Sequence, residues 1–260
     1  MPLAAGIYYF ANEEENWSRP AVILIHGAGG SHLNWPPEIR RMAGQRIYAL
    51  DLPGHGKSNG FGRQTIEDYA KAVLTFMDAL KIRKAVFVGH SMGSAIALYL
   101  GVHNPSRTLG LGLVGSGARL RVSAALLEKT ANPATFALAV QTVTDLAFGP
   151  QAEPRLKELA GQRMAEVRSA VLHGDFLACD AYDEAHLLGR IKGPALIVCG
   201  SEDRLTPLHL AEQLKARLKD SILYTIESAG HMVMLEEPQK VAAPLQLFLN
   251  SIVYQPGEAG

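Results

Sequence analysis

The chain has 260 residues, 48% hydrophobic and 19% charged, and its 25 basic residues cancel 25 acidic ones. That apolar content supports a sizeable core and excludes intrinsic disorder. The charge balance excludes the basic stripe of a nucleic-acid binder and the polybasic face of a membrane-surface protein.

At the N-terminus, Met1-Pro2-Leu3-Ala4-Ala5-Gly6 has no basic segment leading into a long apolar stretch, so no secretion signal is expected. The longest apolar runs fall far short of the ~18 residues of a membrane span. A cytoplasmic protein without a membrane partner is the expectation. The two cysteines, Cys179 and Cys199, are too few for a disulfide scaffold, and Cys199 reads as a small buried hydrophobe.

Residues 6–11 leave room for a short strand or one hairpin before Pro20. Apolar runs follow at 21–25, 47–50, 85–88, 109–114, 195–199 and 221–226, each closed by Gly, Asp or a polar turn. Continuous β-branched runs without polar alternation predict strands buried on both faces, the habit of a parallel sheet. Helical spacing lies between them. Residues 65–80 carry Ile66, Tyr69, Val73, Phe76, Met77 and Leu80 at helical intervals, with Thr65 and Asp68 as a capping box. Another helix is expected from Thr206 with Pro207 at its first position. Alternating strands and helices predict an α/β fold, an open, mostly parallel sheet with helices on both faces.

Residues 118–190 break the rhythm. They read as helical segments at 123–130, 134–148 and 153–172, punctuated by Pro133, Gly149-Pro150, Pro154 and Gly174. This block is expected to be a helical cap inserted between the core segments 1–117 and 191–260. A last helix over 238–252 should be kinked or delayed by Pro244, and the tail 255–260 is expected to be loose.

Several motifs compete for the chemistry. Residues 110–115 match G-x-G-x-x-G but lie inside an apolar run, with no acidic partner some 20 residues on, so they read as a small-residue strand. Residues 54–58 resemble the end of a P-loop, but Asp51 stands where the first glycine is required. G-x-S-x-G occurs around Ser58 and around Ser91. Ser58 has no flanking strand and reads as a turn. Ser91 follows the strand at 85–88 and precedes a helix, the context of a nucleophile elbow. There a strained turn sets the hydroxyl above a helix N-terminus, and glycines at 89 and 93 relieve the crowding.

A serine nucleophile needs a base and an orienting acid. Of the histidines after Ser91 (His103, His173, His186, His209 and His231), only His231 sits in a loop after the last strand. Asp203 lies in the turn after the strand at 195–199, with Glu202 as its rival. The oxyanion donors are expected to be the backbone N–H groups of Met92 and of Ala28, with Gly29 second to Ala28. His26 reads as a brace for that loop. Gly27, Gly29, His90, Tyr182 and Met232 are further candidates for substrate contact. The sequence has neither H-E-x-x-H nor C-x-x-C, so no metal site is expected.

His26-Gly27, the run Asp51-Leu52-Pro53-Gly54-His55-Gly56-Lys57-Ser58, the Ser91 elbow, Gly200-Ser201-Glu202-Asp203, and Ala229-Gly230-His231-Met232 with Glu236-Glu237-Pro238 occur in this order. Together they resemble the α/β-hydrolase superfamily, specifically its short single-domain members with a helical cap. The resemblance implies a Ser91–His231–Asp203 triad, no cofactor and an acyl-enzyme route. It implies a carboxylesterase-like enzyme for small to medium esters. Epoxide hydrolases and haloalkane dehalogenases carry Asp at the nucleophile position, unlike Ser91. Two alternatives stay open: a carbon–carbon bond hydrolase, with Arg119 or Arg121 meeting an acidic diketone, and a ligand-sensing receptor with very slow turnover. The apolar residues at 134–148 read either as an acyl pocket or as the cap's own core. Oligomeric state, monomer or homodimer, stays open.

Overall fold

A computed structural model describes residues 2–12 and 19–254. The tail at 255–260 lies outside the described residues. Eight strands form one sheet: β1 (Leu3–Ala4), β2 (Ile7–Asn12), β3 (Ala21–Ile25), β4 (Arg46–Leu50), β5 (Ala85–His90), β6 (Thr108–Val114), β7 (Ala195–Gly200) and β8 (Ser221–Ile226). Their order is β1-β2-β4-β3-β5-β6-β7-β8. The β1–β2 hairpin joins antiparallel to β4, and every later pairing is parallel.

Alternation along each central strand divides the core in two. Ile23 and Ile25 of β3 and Phe87 of β5 face one side, where α2 (Ile66–Ala79), α3 (Met92–His103) and α8 (Leu208–Arg217) pack. Val22, Leu24, Val86 and Val88 face the other, where α1 (Pro37–Arg40), α9 (Val233–Glu236) and α10 (Pro238–Ser251) pack. With both faces covered, β3 and residues 85–88 of β5 carry no polar side chain, which explains the unbroken apolar runs. Gly110 of the rejected dinucleotide motif lies under α10, where a Cβ would come within 2.9 Å of Ile252 and 3.2 Å of Phe248. Cys199 is buried, and burial pushes its thiol pKa up to about 12.

Between β6 and β7 stand α4 (Ala124–Ala131), α5 (Phe136–Ala147), α6 (Pro154–Ala165) and α7 (Ser169–Ala181), which share a small core of Leu126, Ala139, Val140, Val143, Leu172 and Phe176. These helices are the inserted cap. The expected single helix at 153–172 is two, because Arg168 is extended (ψ 134°) and starts α7 afresh. Gly174 does not punctuate a helix. It lies inside α7, where its missing side chain lets the helix approach the Arg63 carbonyl.

Three further expectations are corrected. The Asp68 carboxylate accepts from the Thr65 hydroxyl at 2.7 Å, so only the Thr65 half of the capping box forms, with Asp68 N–H donating to Thr65 Oγ1 at 3.1 Å. Helix α8 starts at Leu208 with Pro207 as its cap, because the Thr206 side chain is engaged elsewhere. Of the kink or delay expected from Pro244, the delay is absent: helix α10 begins at Pro238 and includes Pro244. The carbonyl that loses its partner belongs to Lys240, an exposed residue. Among the described residues, no helix is long and apolar enough to cross a membrane.

Candidate active site

Ser91 joins β5 to α3 with φ 53° and ψ −118°, a conformation L-residues rarely adopt. Its N–H donates to the Val114 carbonyl at 2.9 Å, which ties the turn to β6. A Cβ on Gly89 would fall on the Gly93 carbonyl, and one on Gly93 would fall on the Ile25 carbonyl. Steric exclusion therefore dictates both glycines of the motif. Met92 begins α3, so its N–H has no acceptor inside the helix. Ser58, in the second G-x-S-x-G, is tied into a turn: its hydroxyl donates to the Asp51 carbonyl at 2.5 Å and accepts from Tyr8 N–H at 2.8 Å.

Asp203 and His231 converge from the loops after β7 and β8. His231 Nδ1 lies 2.9 Å from Asp203 Oδ2, and both residues are buried. The same oxygen accepts from the Thr206 hydroxyl at 2.8 Å, and Oδ1 accepts from the N–H groups of Leu205 (2.9 Å) and Thr206 (2.8 Å). Burial alone would raise the Asp203 pKa. The neighbouring His231 and these hydrogen bonds outweigh burial and hold it below the usual carboxylate range. An ionised Asp203 fixes the proton on Nδ1 and leaves Nε2 with a lone pair. Glu202 donates its N–H to the Ala229 carbonyl and makes no side-chain bond to His231. Gly115, with φ 54°, lies under the imidazole, where a Cβ would come 3.0 Å from Nδ1. The His231 loop is held in turn by Glu236, which accepts from Gly230 N–H (3.0 Å) and Gly149 N–H (2.9 Å).

His26 braces the loop after β3. Its Nε2 accepts from Leu52 N–H at 3.0 Å, so Nδ1 carries the proton and donates to the Gly27 carbonyl at 2.7 Å. Burial, aided by the neighbouring His55, lowers its pKa to about 4 and keeps it neutral. Gly30 N–H also donates to the Gly27 carbonyl, at 3.1 Å. A planar trans peptide then turns the Ala28 N–H away from that anchored carbonyl. Gly29 is removed as a rival donor, because its N–H is engaged by Asp175 Oδ2 at 2.8 Å.

A cavity of about 210 Å³ lies above these groups, lined by Ser91, His231, Gly27, Ala28, Gly29, His90 and Met232. Its far wall is apolar and largely from the cap, with Val143, Phe148, Leu159, Met164 and Phe176. Within 134–148, Val143, Ala147 and Phe148 line the cavity, whereas Ala139 and Val140 fill the cap core. Tyr182 does not reach the cavity. It ends α7 on the core side, buried, with its hydroxyl unpartnered. Arg119 pairs with Asp183 and Arg121 donates to the Asp180 carbonyl, and neither lines the cavity. Arg163 lines it instead. Sequence reading missed Thr206 and Asp175. Only Thr206 had a local signal, as the third residue after an Asp that bonds forward to backbone N–H groups. Among the described residues, no three His, Cys, Asp or Glu side chains cluster as a metal site would need.

Known proteins share this architecture. The chain is 27% identical over 244 residues to 3-oxoadipate enol-lactonase 1 of Acinetobacter baylyi, covering 90% of each. It is 30% identical over 248 residues to a pimeloyl-[acyl-carrier protein] methyl ester esterase of Neisseria meningitidis serogroup A, covering 90% of this chain and 78% of that one. The crystal structure of the enol-lactonase from Burkholderia xenovorans LB400 superposes with a TM-score of 0.87 at 24% identity, over 94% of this chain and 96% of that one. The profile of the α/β-hydrolase fold matches residues 20–238, and the chain belongs to that family.

Proposed function

We propose that this protein is a serine hydrolase that cleaves carboxylic esters of small to medium size through an acyl-enzyme on Ser91. One observation carries the reading: His231, whose Nδ1 lies 2.9 Å from Asp203 Oδ2, lines the same cavity as the strained Ser91. In this reading Ser91 Oγ attacks the ester carbonyl while His231 takes its proton. The N–H groups of Met92 and Ala28 hold the oxyanion. His231 then protonates the leaving alcohol, and water repeats the cycle on the acyl-enzyme. Asp203 keeps the imidazole in the required tautomer and stabilises the imidazolium. The helices of residues 118–190 serve as the lid, and their apolar wall receives the acyl chain. The relationship to named esterases and lactonases supports the same reaction class.

The test is hydrolysis of p-nitrophenyl esters from acetate to palmitate by the wild type and Ser91→Ala. A cavity of about 210 Å³ leads us to expect the optimum among short to medium chains. Loss of at least about 10³-fold in kcat is expected for Ser91→Ala. A variant that retains wild-type turnover refutes the assignment.

A further inference from the structure

We propose that Asp175 of the cap is a positioning residue for the oxyanion hole: by accepting the Gly29 N–H it couples seating of the cap to the orientation of the Ala28 N–H. This rests on the serine-hydrolase reading above.

Asp175 lies on the buried face of α7 with Val171, Leu172 and Phe176, and its exposure is 0%. A carboxylate taken out of water is costly unless its oxygens are matched by donors. Here all three donors come from the core and the acceptor from the cap. Oδ2 accepts from Gly29 N–H (2.8 Å) and His55 Nε2 (2.8 Å), and Oδ1 from the Tyr69 hydroxyl (2.5 Å). One cap side chain thus ties together the loop after β3, the loop after β4, and α2.

Asp175 does not line the cavity, so it acts through the backbone it holds. The Gly27–Ala28 peptide is pinned through the Gly27 carbonyl by His26 Nδ1 and Gly30 N–H. The next peptide, Ala28–Gly29, is pinned through its N–H by Asp175. Peptide units are planar, so fixing both units that flank Ala28 leaves its own N–H no rotational freedom. Gly29 sits at φ 63°, and a Cβ there would meet Leu172 Cδ1 at 2.8 Å. The cap therefore presses on the same turn that its carboxylate holds. With α7 unseated, the Gly29 N–H loses its acceptor, and the Ala28 N–H is held only through the Gly27 carbonyl, from one side of the residue.

The experiment uses Asp175→Asn, Asp175→Ala and, as a control, Arg168→Ala. Arg168 donates to the Gly60 carbonyl at 2.7 Å, a cap–core bond that does not touch the oxyanion loop. Asn preserves size but offers one acceptor oxygen where three donors on two oxygens must be met. The readouts are kcat, KM, thermal melts, and inhibition by an alkyl trifluoromethyl ketone against the matching secondary alcohol. Ser91 Oγ adds to the ketone carbon and His231 takes the proton, so the ketone oxygen becomes an oxyanion in the hole. The alcohol fills the cavity without forming one. For Asp175→Asn, kcat is expected to fall about 10- to 100-fold and ketone affinity in step. KM and alcohol affinity stay within about twofold, and Asp175→Ala falls further. Arg168→Ala keeps the ketone preference. Variants that melt cooperatively and keep the wild-type preference for ketone over alcohol overturn the proposal. So does an Arg168→Ala loss as large as that of Asp175→Asn, which would make cap packing the cause. A wild type with no Ser91-dependent preference for the ketone overturns the serine-hydrolase reading and this proposal together.

Discussion

Replacing Gly115 with alanine places a methyl group under the His231 imidazole. The backbone there sits at φ 54°, which costs an L-residue about 1–2 kcal/mol. The new Cβ would lie 3.0 Å from His231 Nδ1, 3.1 Å from Cε1 and 3.4 Å from Asp203 Oδ2. Comfortable separation is about 3.5–4.0 Å, so the ring must retreat by roughly 0.5 Å. The His90 ring also packs against it, with its centroid 4.6 Å away, and limits its room to move. The retreat therefore strains the 2.9 Å bond to Asp203. A 1 Å misplacement can cost about 10²-fold, so kcat should fall by about tenfold with KM little changed. Thermal stability should fall by about 2–8 °C, at about 2–4 °C per kcal/mol. Gly44→Ala is the control. Gly44 sits at φ 69° with nothing within 4 Å of its missing Cβ, so it carries the backbone cost alone. Steady-state hydrolysis and thermal melts of both variants decide the matter. A melting loss in Gly115→Ala at least as large as in Gly44→Ala, with a kcat loss confined to Gly115→Ala, is expected. A Gly115→Ala enzyme within about twofold of wild type in kcat refutes the reasoning.

Thr206→Val removes a hydroxyl that donates to Asp203 Oδ2 at 2.8 Å. Urea unfolding should show a loss of about 1.5 kcal/mol or more, kcat should fall several-fold, and Thr206→Ser should restore both. Acid stability offers a second check. Burial, with His231 beside it, lowers the His90 pKa to about 3, and burial with His55 lowers that of His26 to about 4. Both stay neutral in the native state while the unfolded chain takes up protons near pH ~6.5, so stability is complete above that pH and is lost on acidification. The His26 shift alone is worth roughly 3 kcal/mol once pH has fallen to its native pKa. Urea midpoints should drop between pH 7 and 5, above the carboxylate range, and a flat profile contradicts the assignment. Burial lowers the His55 pKa but Asp175 raises it overall, so His55 acts in the opposite sense above pH ~6.5. Tyr182→Phe deletes a buried hydroxyl without a partner. Its melting temperature should hold or rise, with KM unchanged, whereas a substrate-contacting tyrosine would raise KM.

The central strands were legible because burial on both faces leaves unbroken apolar runs, as at 21–25 and 85–88; β8, at the sheet edge, is exposed at Ile222 and Tyr224. Ser91 was legible because its turn excludes a Cβ at position 89, against the Gly93 carbonyl, and at position 93, against the Ile25 carbonyl of β3, so both collisions leave a glycine in the motif. Asp203 and His231 were found by their place after β7 and β8, since an open sheet gathers such loops at the carboxyl ends of its strands. The break between α6 and α7 was not legible, because no Gly or Pro marks residues 166–168, while Gly174 inside α7 mimics a helix stop and serves a close approach to Arg63. Tyr182 was misplaced for a related reason: sequence distance from the site says nothing about which way a helix end turns.

The sequence by itself determined the sheet, the elbow and the residue types of the candidate triad, because each leaves a local residue pattern or follows from chain order. Only the tertiary structure shows that the Gly29 N–H is already engaged. Its acceptor is Asp175, which meets Gly29, His55 and Tyr69 across 146, 120 and 106 residues of chain. Hydrogen bonds at such separations leave no periodicity or spacing to read, and they exist only once the cap has closed on the core.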